Sequence, residues 1–132
     1  MELTKACGYG TSGMIYLAKQ PQDKIVSLSE VSKAENLPER FLAKIFMSLA
    51  RSGLLISHRG AGGGFSLARP ANKITVKELL ESIQGPIYFT KCLSGFYDCP
   101  RIEICRLREL VEKAQDNVTK ILTKNTLADL IK

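Results

Sequence analysis

Three of the chain's four cysteines stand close together, Cys92, Cys99 and Cys105 in the segment KCLSGFYDCPRIEIC. Thiols grouped in this way can close a disulfide, hold a metal or react with oxidants. Their spacing, C-x6-C-x5-C, is too open for a zinc knuckle or ribbon, whose paired cysteines sit about two to four residues apart. A larger inorganic core tolerates open spacing, and soft thiolates select iron-sulphur clusters. Gly95 and Pro100 would shape such a wrap, and Arg101, Arg106 and Arg108 nearby favour thiolate over thiol. The residues alone leave three readings open: a metal or cluster site, a thiol-disulfide switch, and inert thiols. An enzyme built on a cysteine nucleophile is disfavoured, because activation needs a base and the only histidine, His58, lies in a separate glycine-rich stretch.

The N-terminal MELTKACGYG lacks a basic segment followed by an apolar one, and the apolar runs are too short for a membrane span. A cytoplasmic protein without membrane contact is expected. In a reducing cytosol, clustered cysteines are more often ligands or redox centres than structural staples. A chain of 132 residues, 45% of them hydrophobic, forms one domain with an ordinary core. The net charge of +6 is uneven: residues 1–74 carry ten Lys/Arg against five Asp/Glu, whereas residues 75–132 carry nine against eight. A basic first half suits a phosphate backbone as partner.

Leu3, Cys7, Gly10, Met14 and Leu17 recur at steps of four and three, which predicts an amphipathic helix over residues 3–19. The glycines within it point to close packing on a neighbour. SLSE at 27–30 reads as a capping box opening a short helix that ends near Asn36. Pro38 suits the first position of the next helix, whose apolar face is Phe41, Leu42, Ile45, Phe46 and Leu49. Two short helices joined by a tight turn are a helix-turn-helix candidate. LLISHR and FSLAR then read as two strands around the flexible GAGGG, the pattern of a wing. TVKE at 75–78 opens another helix that stops at Gly85-Pro86. The cysteine segment follows as a loop. After Cys105, Leu107, Val111, Ala114, Val118 and Ile121 form a heptad-like seam suited to the same helix of a second subunit. TLADLIK, with Thr126 and Asp129 at its start, reads as a short last helix.

On the second helix of the motif, Arg40, Lys44 and Arg51 fall opposite the apolar face, where a major groove would lie. Arg40 near the helix start is best placed for a base edge, and Lys44 and Arg51 for bases or phosphates. His58 and Arg59 precede the glycine tip, and an arginine there can enter a narrow minor groove. The glycines are not a nucleotide loop, because they lack the Lys-Ser/Thr of a P-loop and join two strands.

MELTKACGYG, RSGLL leading to RGAGGGFSLARP, ITVKELLESI, the three cysteines and TLADLI together resemble the Rrf-type family of bacterial winged-helix transcription regulators. That family includes the cluster-binding IscR and NsrR. The resemblance runs over essentially the whole chain. It implies a mainly α fold in which residues 1–85 form a winged helix-turn-helix, 86–105 a cluster loop, and 106–132 a long dimerisation helix with a short terminal helix. It further implies a homodimer joined through residues 106–122 and bound to double-stranded operator DNA, acting as a repressor. An iron-sulphur cluster on Cys92, Cys99 and Cys105, 2Fe-2S in preference to 4Fe-4S, would control it by sensing cluster status, redox or nitric oxide. A metal-free thiol switch is the alternative. By position Arg59 corresponds to the family's wing arginine, while Pro38, Glu39, Arg40, Ala43 and Lys44 occupy the base-reading stretch. Ala43 and Lys44 replace a glutamate and a glutamine of IscR, so its operator preference does not carry over.

Two departures concern the cluster. The first cysteine gap is one residue longer than in IscR and NsrR. The histidine ligand of IscR-like members is replaced by Arg108, and the acidic ligand of NsrR-like members by Gly8. Cys7 of the partner subunit, Asp98, Glu103, Tyr97 or an exogenous thiol are the remaining candidates for a fourth ligand, and Cys7 reads equally as a small buried residue on the stripe with Leu3 and Met14.

Overall fold

Thr4 opens α1 (Lys5–Ala18) by accepting the Cys7 N–H at 3.2 Å, and the helix buries Cys7, Gly10, Met14 and Leu17 of the expected stripe together with Gly13, whereas Leu3 precedes the helix and is exposed. The computed structural model of the chain describes residues 2–96 and 98–131, so Tyr97 lies outside them. A methyl group on Gly13 would sit 2.6 Å from the Phe46 ring, and one on Gly10 would sit 2.5 Å from the Ile83 side chain. These glycines therefore set how closely α1 approaches its neighbours. Gly8 differs, because its missing side chain faces open space.

Next come α2 (Leu28–Glu35) and α3 (Glu39–Arg51). Ser27 caps α2 through the Glu30 N–H at 3.1 Å, but the reciprocal half of the expected capping box is absent. The Glu30 carboxylate instead accepts the Tyr16 hydroxyl at 2.6 Å and faces Lys24 at 3.8 Å, which ties α2 to α1. The turn is made by Asn36 in the left-handed region at φ +52, a conformation asparagine tolerates better than most residues. The Ser32 hydroxyl closes it on the Leu37 carbonyl at 2.6 Å. Pro38 proves to be the residue before the helix, with extended backbone, and α3 begins at Glu39. Its inward side is Leu42, Ile45, Phe46 and Leu49.

The wing consists of β1 (Leu55–His58) and β2 (Gly64–Leu67), antiparallel with Leu55 opposite Leu67 and His58 opposite Gly64. An element not expected from the sequence joins it: Val26 pairs with Phe65 through two backbone hydrogen bonds of 2.9 and 2.8 Å. Any side chain on Gly64 would stand 2.2 Å from the Val26 carbonyl oxygen, so glycine permits this contact. Phe65 then meets Phe46 edge-on, ring centres 5.2 Å apart.

After a 3-10 turn at Ala71–Lys73, a complete capping box between Thr75 and Glu78 starts α4 (Val76–Gln84), and Gly85 at φ +87 ends it. The Thr75 N–H and the Arg69 guanidinium hold the Glu78 carboxyl below its ordinary pKa despite partial burial. A 3-10 turn at Lys91–Leu93 leads into the cysteine loop, followed by α5 (Arg106–Lys124). The chain then returns to the core in a 3-10 turn at Leu127–Leu130 with its own capping box. Leu127 is fully buried, its N–H bonded to the Ile74 carbonyl at 2.8 Å.

No residue of α5 is fully buried, and the expected seam divides. Val111 and Val118 are half-buried, while Leu107, Leu110 and Ile121 are exposed at 68%, 63% and 60%, with Ala114 between them. The free apolar stripe is thus Leu107, Leu110, Ala114 and Ile121. No described helix is long and apolar enough to cross a membrane.

The two classes of glycine in α1 give opposite expectations. Gly8→Ala should stabilise the fold by about 1 kcal/mol through helix propensity, whereas Gly13→Ala should destabilise it by about 1–3 kcal/mol through overpacking on Phe46. Thermal denaturation of both variants checks this, and a Gly13→Ala chain melting no lower than the unsubstituted one refutes the close-packing account.

Candidate nucleic-acid interface and cysteine loop

The outward side of α3 carries Arg40, Lys44, Met47 and Arg51, all exposed and spaced so that they share one face of the helix. Pro38 and Glu39 are exposed at its start. Phe41 lies to one flank, edge-on to Tyr9 at 5.5 Å, and Ala43 lies half-buried on the other, beside Leu28 and Arg40. Sequence reasoning misses Met47, which it places neither on the apolar face nor among the cations. The signal is nonetheless present, since a step of seven from Arg40 keeps residue 47 on the polar face.

Arg59 is exposed on the wing tip, where Gly60 and Gly62 adopt φ +90 and +76. Gly63 has no room for a side chain, because a methyl group there would stand 2.4 Å from the His58 carbonyl oxygen. His58 is placed differently from Arg59: it is half-buried, with its Nε2 2.8 Å from the hydroxyl of buried Ser66 on the facing strand. That bond braces the tip from below.

The loop begins against α5, where the Phe89 N–H donates to Gln115 Oε1 at 2.8 Å. Cys92 Sγ lies 2.8 Å from the Thr90 hydroxyl, and Cys99 is half-buried beyond it. Cys105 caps α5, its Sγ accepting the Arg108 N–H at 3.3 Å. All the cysteines are free thiols. The donor chemistry suits three ligands of a cluster, and backbone N–H bonds to sulphur are among the interactions that tune such centres. The placement is looser: among the described residues no three His, Cys, Asp or Glu side chains gather as a metal-binding group.

The surroundings of Arg108 and Cys7 bear on the fourth ligand. Arg108 donates to Glu112 Oε2 at 3.2 Å while its Nε is buried without a hydrogen-bond partner, and a guanidinium does not ligate metal. Cys7 takes the place of a small buried residue on the apolar stripe of α1. It is only 2% exposed, its Sγ donates to Gln84 Oε1 at 2.8 Å, and burial raises its thiol pKa, which opposes the thiolate a ligand must become. Asp98 and Glu103 stay exposed on the loop.

The family model described as Rrf2, iron-dependent transcriptional regulator, matches residues 3–132. CymR of B. subtilis, the global cysteine regulator of that organism, is 30% identical over 99% of this chain and 96% of its own, with TM-score 0.81. The oxidised form of Staphylococcus aureus CymR is 27% identical over 100% of this chain and 97% of its own, with TM-score 0.76. IscR of T. potens is 26% identical over 99% and 86%, with TM-score 0.78.

Proposed function

The chain belongs to the Rrf2 family of transcriptional regulators, and from that premise we propose that α3 and the wing bind operator DNA in a homodimer whose affinity is set by chemistry on the cysteine loop. The observation that carries the reading is the single exposed face formed by Arg40, Lys44 and Arg51, with Arg59 on the adjoining glycine tip. The α3 face lies in the major groove with Pro38 and Glu39 at its entrance, Arg40 reaches base edges, and Lys44 and Arg51 neutralise phosphates. Arg59 enters the minor groove beside it, on a tip braced by His58. The output is repression, in the cytoplasm.

Duplexes enriched by the protein from a random-sequence library provide the probe. Arg40→Ala and Arg59→Ala should each cost about 1–3 kcal/mol of affinity, and Lys44→Ala should reduce the salt slope by about one. Fluorescence anisotropy across a salt series reads both, and salt-independent affinity would refute the interface.

The dimer is assigned to the exposed stripe of Leu107, Leu110, Ala114 and Ile121, an apolar surface on a helix with no fully buried residue. Leu110→Glu should yield monomers in sedimentation and weaken operator binding about a hundredfold or more, because the two half-sites no longer bind together. A variant that still sediments as a dimer sinks the assignment.

Cys92, Cys99 and Cys105 would hold an iron-sulphur cluster, 2Fe-2S in preference to 4Fe-4S. When bound, the cluster supplies a centre sensitive to redox state and nitric oxide. The chain's contribution is mechanical: Cys105 fixes one end of the loop at the α5 N-terminus and Gln115 holds the other. Rearranging the loop therefore shifts α5 and with it the spacing of two recognition helices. A tenfold change in affinity needs only about 1.4 kcal/mol of such coupling. The family's description as iron-dependent supports this reading. A metal-free thiol switch is supported by a different observation, the likeness to CymR, a cysteine regulator of which one structure is of the oxidised form. Anaerobic purification followed by iron and sulphide assay separates them. Iron and sulphide lost in a triple Cys→Ser variant mark the cluster; a colourless protein whose DNA binding responds to peroxide, with a disulfide in the loop, marks the switch.

A further inference from the structure

Met47 sits in the middle of the cationic face of α3, between Lys44 and Arg51, with 42% of its surface exposed. The core does not require it there, since Leu42, Ile45, Phe46 and Leu49 already form the inward side. Three cations share its stripe, so the surface that meets this face is a polyanion. Pressed against a duplex by those neighbours, an apolar side chain reaches the floor of the major groove, where the apolar group is the C5 methyl of thymine. Methionine's flexible, polarisable thioether conforms to such a group more readily than a branched side chain does.

We propose that Met47 is a specificity-determining residue that packs on a thymine methyl group, so that the preferred half-site places a thymine beneath the centre of α3. The inference rests on α3 being the DNA-reading helix. It differs from the arginine and lysine contacts because it involves no hydrogen bond, and it can therefore be tested by removing a single methyl group.

The probe is the duplex enriched from a random-sequence library by the intact chain, with each thymine replaced in turn by deoxyuridine. Deoxyuridine lacks the methyl group and keeps every hydrogen-bonding atom. For the unsubstituted protein, a single replacement at the sensitive position of either half-site should weaken binding about threefold to fivefold, the effect of no longer burying one methyl group. Met47→Ala should bind the thymine and uracil duplexes alike, whereas Met47→Leu should retain the discrimination. Unchanged melting temperatures establish that both variants fold. A protein without a uracil-sensitive position, or a Met47→Ala variant that keeps the original pattern, overturns the proposal and leaves α3 as the recognition helix. Undiminished binding by both Arg40→Ala and Lys44→Ala overturns the two readings together.

Discussion

The ring of Phe46 is where three elements converge. It fills the space that Gly13 leaves on α1, it belongs to the inward side of α3, and it meets Phe65 of β2 edge-on at 5.2 Å. Aromatic pairs of this geometry add about 0.5–1.5 kcal/mol to the burial of their surfaces. Their directional preference also restricts how the elements can sit. The tilt of α3 relative to the wing is thus set from inside, on the side of the helix opposite the surface residues it aims. Arg40 and Arg59 keep a fixed relation because their supports share one aromatic pair.

The backbone of this arrangement is legible where a local rule decides it. Thr75 and Glu78, Thr126 and Asp129, and the glycine wing are all placed by short-range chemistry, and the structure has them where those rules put them. Features depending on partners distant in the chain are not legible. Glu30 satisfies the sequence rule for a capping box, yet Tyr16, well upstream on α1, competes for its carboxylate and wins. The Val26 pairing with Phe65 leaves no periodicity in one residue's neighbourhood. On α5, a heptad pattern identifies an apolar helix but cannot say which apolar residues its own protomer claims.

The same distinction applies to the candidate site. Residue type and spacing identify the exposed cations of α3, because helical periodicity separates faces without knowledge of the rest of the fold. They do not separate His58 from Arg59, adjacent residues of which one is drawn into a hydrogen bond with Ser66. For the cysteines, composition identifies the donors, while convergence depends on the loop's path. Cys7 shows the converse case. Its chemistry matches that of the loop thiols, but its place on the apolar stripe of α1 already announces the burial against Gln84 that sets it apart.

Leu127 packs beneath Ile74, a residue far earlier in the chain, and the Thr75–Thr126 bridge lies beside it. During synthesis, the helix-turn-helix and wing therefore emerge long before the residue that closes their core. A nascent chain at that stage exposes apolar surface and depends on a long-range contact for completion. Folding of the reading head is consequently coupled to translation of α5, so that a polypeptide interrupted within that helix would carry the cationic face without a finished scaffold to present it.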